Sequence, residues 1–223
     1  MINHRSGVEI FRKEAKQIGS YYKGLTYAEK SSIPLITGNL DLIDEVGNPV
    51  DSYSIEVYCS EKYPYGFPLV FEVGGKLPIN IDWHVFEQDG HCCIKAIPEE
   101  ILLCSKGINL IHFIEKELKP YFFNQTFRRL NGYYVKERPH GIMASIEYFG
   151  EALMTKDIKL IIKMLDFIST RVEYKSTKKC ICGSNRKYKK CHRRVFRNIS
   201  LISNVVLNDL LTKIKAYSNL LSN

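Results

Sequence analysis

At 223 residues with 45% hydrophobic and 25% charged positions, the chain has the make-up of an ordinary globular protein with room for one domain and an appendage, which excludes a disordered or fibrous chain. Its net charge of +8 is uneven: residues 171–197 hold eleven Lys and Arg against the single acid Glu173, so the remainder is close to −2. No apolar run is long enough to span a bilayer. The N-terminal stretch lacks a signal peptide's apolar core and cleavage site, so we expect a cytoplasmic protein with no membrane partner.

In chain order, residues 8–30 space apolar side chains at helical intervals, with Gly19 and Gly24 as weak points. Residues 33–43 and 53–59 read as strands around a turn signal at 44–49, and 69–73 as a third strand closed by Gly74-Gly75. Residues 76–90 are irregular, and 92–96 is short and extended. Residues 107–130 form a helical pattern interrupted by Pro120, followed by amphipathic helices over 141–154 and 156–169. A basic linker over 171–179 leads to a cysteine-rich module, and one last helix covers 196–221. A helix, an antiparallel sheet and then helices give an α+β protein.

Seven cysteines, an odd count without a secretion signal, argue against a disulfide framework. Cys59 and Cys104 lie in apolar surroundings and read as inert core residues. Cys92 and Cys93 are adjacent. Neighbouring side chains on an extended segment face opposite ways, so one is expected outside and the other inside.

The segment Tyr63 to Ile94 resembles the core of the ubiquitin-conjugating (UBC) fold. The matching residues are Tyr63, Pro64 and Pro68 before a strand, His84 in the following turn, then Gly90, Cys93 and Ile94. The resemblance implies a helix, a four-stranded antiparallel meander and further helices over residues 1–170. It also implies a thioester on Cys93, with Cys92 as the alternative, formed with a protein C-terminus and passed to an amine. His84 would shape the turn by hydrogen bonding. The family's Asn after the His is replaced here, since Val85 and Phe86 follow. The oxyanion donor is therefore left open among backbone N–H groups, His91 and Gln88. Similar bacterial proteins act in antiphage defence of the CBASS type, which implies a partner with an activated C-terminus, such as a cGAS-like nucleotidyltransferase. The chain has no glycine-rich nucleotide motif of its own, so an activating enzyme is also implied. The same fold also occurs as a non-catalytic binding module.

Residues 179–192 carry Cys180, Cys182, Cys191 and His192, with Gly183, Ser184, Tyr188 and Lys189 between them. This pattern resembles the SEC-C motif, a zinc knuckle found at the end of the bacterial secretion ATPase. Three thiolates and an imidazole suit structural Zn2+, with no position left for catalysis. The expected second domain is 171–223, and losing Cys182 should unfold the knuckle alone while 1–170 stays folded. The basic charge around it admits three roles: nucleic-acid binding as an accessory protein, docking of an acidic protein, or a solvated face. Around the four ligands only Tyr188 and Phe196 offer stacking, so nucleic acid is the least expected.

Overall fold

The structure is a computed structural model that describes residues 4–135 and 137–221; the first three residues of the N-terminal stretch read above lie outside it. Contacts divide the chain into two compact units. The first comprises residues 1–95 and 103–138, and the second 96–102 and 139–223. The boundary read from the sequence, at 170/171, falls inside the second unit.

The first unit opens with helix α1 (His4–Ala15), which buries Phe11 and Ala15 four residues apart. It stops there: residues 16–24, including Gly19 and Gly24, form a 3-10 turn and a loop, and the chain re-enters as a strand. Four strands follow, β1 (Leu25–Lys30), β2 (Ile33–Ile43), β3 (Pro49–Tyr58) and β4 (Leu69–Glu72), in an antiparallel meander of order β1-β2-β3-β4. The helix expected over 8–30 is thus a helix and a strand. Two features set the difference. Ser31 and Ser32 both adopt the left-handed region, φ 51° and 67°, which a two-residue hairpin turn requires. Gly24 and Gly38 pack backbone to backbone, where a Cβ on Gly24 would lie 2.3 Å from the Asn39 carbonyl oxygen.

One sheet face is apolar by alternation: Ile36, Leu40 and Leu42 on β2 and Tyr53, Ile55 and Val57 on β3 are fully buried or nearly so. Phe67, Phe113 and Phe122 belong to the same core, and the Tyr53 ring stacks on Phe122 at 4.4 Å. At the start of β3, Asp51 is the hub of a polar cluster. It accepts from Lys76 Nζ (2.6 Å), Arg129 Nη2 (2.8 Å), Thr126 Oγ1 (2.8 Å) and the Ser52 N–H (2.8 Å).

After the sheet the helical run 110–131 is continuous. It comprises α3 (Leu110–Phe113), a π turn (Ile114–Leu118) and α4 (Lys119–Asn131), with α2 (Ile97–Leu103) preceding it. The interruption expected at Pro120 is this widened turn. A proline lacks the N–H for the i−4 carbonyl and its ring crowds that carbonyl, so the helix opens just before it and then resumes.

In the second unit, α5 (Gly141–Leu153), α6 (Ile158–Ser169) and α8 (Asn204–Leu220) pack around Phe149, Ile161, Met164, Leu165, Leu207 and Ile214. The expected single helix over 196–221 is two: α7 (Arg193–Ile199) ends before Ser203, whose side chain caps α8 through the Val206 N–H. Cys180, Tyr188 and Phe196 from the cysteine module are buried in this same core, and Ile101 and Leu102 of α2 pack against it. The stretch 171–179, expected to be a linker, is anchored: Arg171 donates to the Ser200 and Ile202 carbonyls and to Asn204.

Candidate functional site

Two clusters of reactive side chains stand out, one in each unit. In the first unit, β4 and the loop after it place the adjacent cysteines. The Cys92 N–H donates to the Val70 carbonyl (2.8 Å), which docks the segment beside β4. The loop 86–91 closes through Phe86 N–H to the His91 carbonyl (2.9 Å), with Gly90 at φ 83°. Cys92 is 5% exposed, and burial pushes its thiol up to about 12, so it is inert at neutral pH. Cys93 is half-buried and lines a cavity of about 260 Å³ with His84, Lys95, Glu117, Tyr121, Asn124, Gln125, Tyr134 and Arg138.

His84 ends a 3-10 turn (Ile81–Trp83) in the left-handed region at φ 52°, a conformation His tolerates better than most residues. Its carbonyl accepts two hydrogen bonds, from the Cys93 N–H (2.7 Å) and from the Tyr121 hydroxyl (2.9 Å). The turn is therefore fastened to the cysteine through the backbone, while the imidazole faces the cavity against Tyr134. Gln125, fully buried, donates to the Trp83 carbonyl and accepts from the Tyr134 hydroxyl, both at 2.9 Å, so its amide is fixed at both ends.

The sequence reading offered His91 and Gln88 as oxyanion donors, yet neither lines this cavity. The His91 ring stacks on Phe86 at 4.3 Å and pairs with Asp89 at 2.6 Å. The groups that sequence reasoning missed are Glu117, Tyr121, Asn124, Gln125, Tyr134 and Arg138. Most sit on the helical run 110–131, whose polar residues one would have assigned to solvent without knowing which face meets the cysteine segment.

In the second unit the cluster is tighter. The ligand atoms of Cys180, Cys182, Cys191 and His192 all lie within 4.8 Å of one another. Cys182 Sγ and Cys191 Sγ are 3.6 Å apart, and His192 Nδ1 is 3.4 Å from Cys180 Sγ and 3.2 Å from Cys191 Sγ. Tetrahedral bonds of about 2.3 Å to sulfur and 2.0 Å to nitrogen imply edges of roughly 3.5–3.8 Å, so these side chains enclose a volume that fits one such ion. Nε2 of His192 lies 3.0 Å from the Leu153 carbonyl. A carbonyl only accepts, so the proton is on Nε2 and the Nδ1 lone pair is left for a metal. Burial opposes ionisation of Cys182, but the hydroxyl and N–H of Ser184 outweigh it and hold that thiol below its usual range.

Residues 177–194 match the SEC-C motif. The SEC-C motif is a metal-binding motif, and its four ligand positions are the cluster just described. No curated protein and no solved structure matches the chain. No described helix is long and apolar enough to cross a membrane.

The cations around the SEC-C motif are partly committed to structure. Arg171 is bound as above, and Arg186 donates to the Lys190 carbonyl (2.8 Å). Tyr188 and Phe196 are buried and offer no open ring face. We therefore expect duplex DNA to bind weakly, with affinity falling steeply with salt and gone by physiological ionic strength. A salt titration by fluorescence anisotropy checks this; tight, sequence-selective binding at that ionic strength would contradict it.

Proposed function

We propose that the first unit is a ubiquitin-conjugating-like acyl carrier and that the SEC-C cluster holds a structural zinc ion. The observation that carries the first part is the contrast between two adjacent thiols. Cys92 is buried and held protonated, whereas Cys93 faces an open polar cavity on a segment pinned by the His84 turn. An acyl carrier between two proteins needs such a thiol: accessible to large partners, on rigid backbone, beside hydrogen-bond donors. A helix, a four-stranded antiparallel meander and then helices supports the same reading, being the element order of the ubiquitin-conjugating family.

In this reading the Cys93 thiolate attacks the activated C-terminal carbonyl of a protein partner. A lysine amine of a second protein then takes the acyl group. His84 positions the cysteine, and Asn124, exposed on the cavity wall, is the side chain available to the oxyanion. By the sequence resemblance the partner is a cGAS-like nucleotidyltransferase in antiphage defence, activated by a separate enzyme. For the second part, three thiolates and one imidazole at these spacings suit zinc in a closed, non-catalytic site.

The test is co-expression with the neighbouring operon genes, then denaturing gels with and without reductant. The expected result is a reductant-sensitive adduct that is lost in Cys93→Ala and kept in Cys92→Ala, the latter costing about 1 kcal/mol of stability. Cys93→Ser should trap a slower, reductant-resistant ester. An adduct lost in Cys92→Ala instead would move the chemistry to the other thiol. No adduct with any partner would leave a non-catalytic binding module.

A further inference from the structure

The cavity beside Cys93 is lined by a carboxylate that is ion-paired with Lys95 yet has one buried oxygen without a hydrogen-bond donor. Glu117 is 8% exposed, and no hydrogen bond among the described residues reaches its Oε2. The Lys95 ammonium lies 3.3 Å from that oxygen, close enough for an ion pair but not aligned as a hydrogen bond. Burying a carboxylate oxygen without a donor costs of order 1–3 kcal/mol, and more for a charged group, so it calls for a reason.

Position adds to this. Glu117 lies in the π turn Ile114–Leu118 that opens before Pro120, and it lines the same cavity as Cys93. Lys95 is two residues after Cys93, and Cys93, Lys95 and Glu117 line the same cavity. The thiol, the unsatisfied carboxylate and the cation that neutralises it thus converge on one open space.

We propose that Glu117 is the proton acceptor for the amine that discharges Cys93. The inference rests on the thioester reading above. An approaching ammonium supplies the hydrogen-bond donor that Oε2 lacks. Glu117 takes the proton the ammonium must lose before its nitrogen can attack. As the C–N bond forms and the C–S bond breaks, the second N–H proton goes to the departing Cys93 sulfur, and Glu117 returns its proton to solvent. The net change is an ammonium and a thioester to an amide, a thiol and one solvent proton. The Lys95 ammonium, 3.3 Å from the carboxylate, disfavours stray cations at rest.

The experiment uses the full chain loaded by a synthetic peptide ending Gly-Gly as its mercaptoethanesulfonate thioester. This probe exchanges onto a cysteine thiolate, releases mercaptoethanesulfonate and needs no activating enzyme. Two nucleophiles then compete with the lysate-free background: free lysine, which is protonated at neutral pH, and hydroxylamine, which is not. Glu117→Gln should load at the wild-type rate and discharge to hydroxylamine at the wild-type rate. Its discharge to lysine should fall about 100-fold, the usual contribution of a positioned base. Glu117→Asp should recover part of the lysine rate.

Normal loading reports that the variant is folded. Wild-type discharge of Glu117→Gln to lysine would overturn the inference and leave the thioester reading intact. Equal slowing with both nucleophiles would also overturn it, since that marks a structural role. Failure of the wild-type protein to load on Cys93 would overturn the thioester reading itself, and the inference with it.

Discussion

We expect Cys182→Ser to release the proposed zinc ion and to destabilise the whole second unit, not only the few residues around the Cys/His cluster. The cluster is joined to the helices at several points. Cys180, Tyr188 and Phe196 are buried in one core with Phe149, Met164 and Leu210, and His192 is hydrogen-bonded to the Leu153 carbonyl at the end of α5. Zinc binding to sites of this kind is worth on the order of 10 kcal/mol in isolated fingers, and in the proposed reading that energy would also hold a wall of the helical core. The expected result is loss of one zinc per chain by elemental analysis. We also expect an unfolding transition of the helical unit shifted down by at least about 10 °C, with the sheet unit melting as before. Chelation by EDTA should do the same to the wild type. Retention of zinc in the variant, or metal loss with an unchanged transition, would refute this. The sequence alone had suggested that residues 141–169 would stay folded without the knuckle; their shared core is the reason to expect otherwise.

Asp51→Ala should be the most damaging single polar substitution in the first unit. The carboxylate is 8% exposed and meets two cations and a hydroxyl, and its removal leaves Lys76 and Arg129 without their shared counter-charge. Breaking such a pair costs about 3–5 kcal/mol when buried; the partial exposure of both cations places the expected loss near the lower end. Urea unfolding measures it, and a loss under about 1 kcal/mol would show that the cluster is ornamental. The cluster also sets an acid response. Burial would raise the Asp51 carboxyl, but Lys76, the Ser52 N–H, Thr126 and Arg129 outweigh it and hold it at about 2. A carboxyl depressed in the folded state stabilises fully above its unfolded value of about 3.9, and that contribution is lost as pH falls towards 2. Wild type should therefore lose stability over that window more steeply than Asp51→Asn.

Strand periodicity was legible where one face is buried. Ile36, Leu40 and Leu42, and Tyr53, Ile55 and Val57, alternate cleanly, and β2 was placed to its observed ends. β1 was not, because Leu25–Lys30 has one fully buried residue and continues a helical pattern that only Gly19 and Gly24 weaken. Its hairpin turn uses Ser31-Ser32, which lacks the Asn-Gly signal of left-handed turns. The Cys/His cluster was legible, since its four residues are close in sequence and their chemistry is restrictive. The Cys93 cavity was only half so. Cys93, its burial contrast with Cys92 and the His84 turn follow from local order. Glu117 and Gln125 come from a helix more than twenty residues on, and their approach is decided by packing that no local pattern records.

The chain crosses between its two units three times, at 95/96, 102/103 and 138/139. On the ribosome this imposes an order of events. The sheet and the Cys93 segment emerge first, but α2, seven residues long, then waits for α5 and α6 to be synthesised before Ile101 and Leu102 find their core. A chain terminated at 138 by a nonsense codon or a truncating protease would carry that helix with its apolar side bare. Neither unit is therefore a cassette that a cut at a single point could separate from the other.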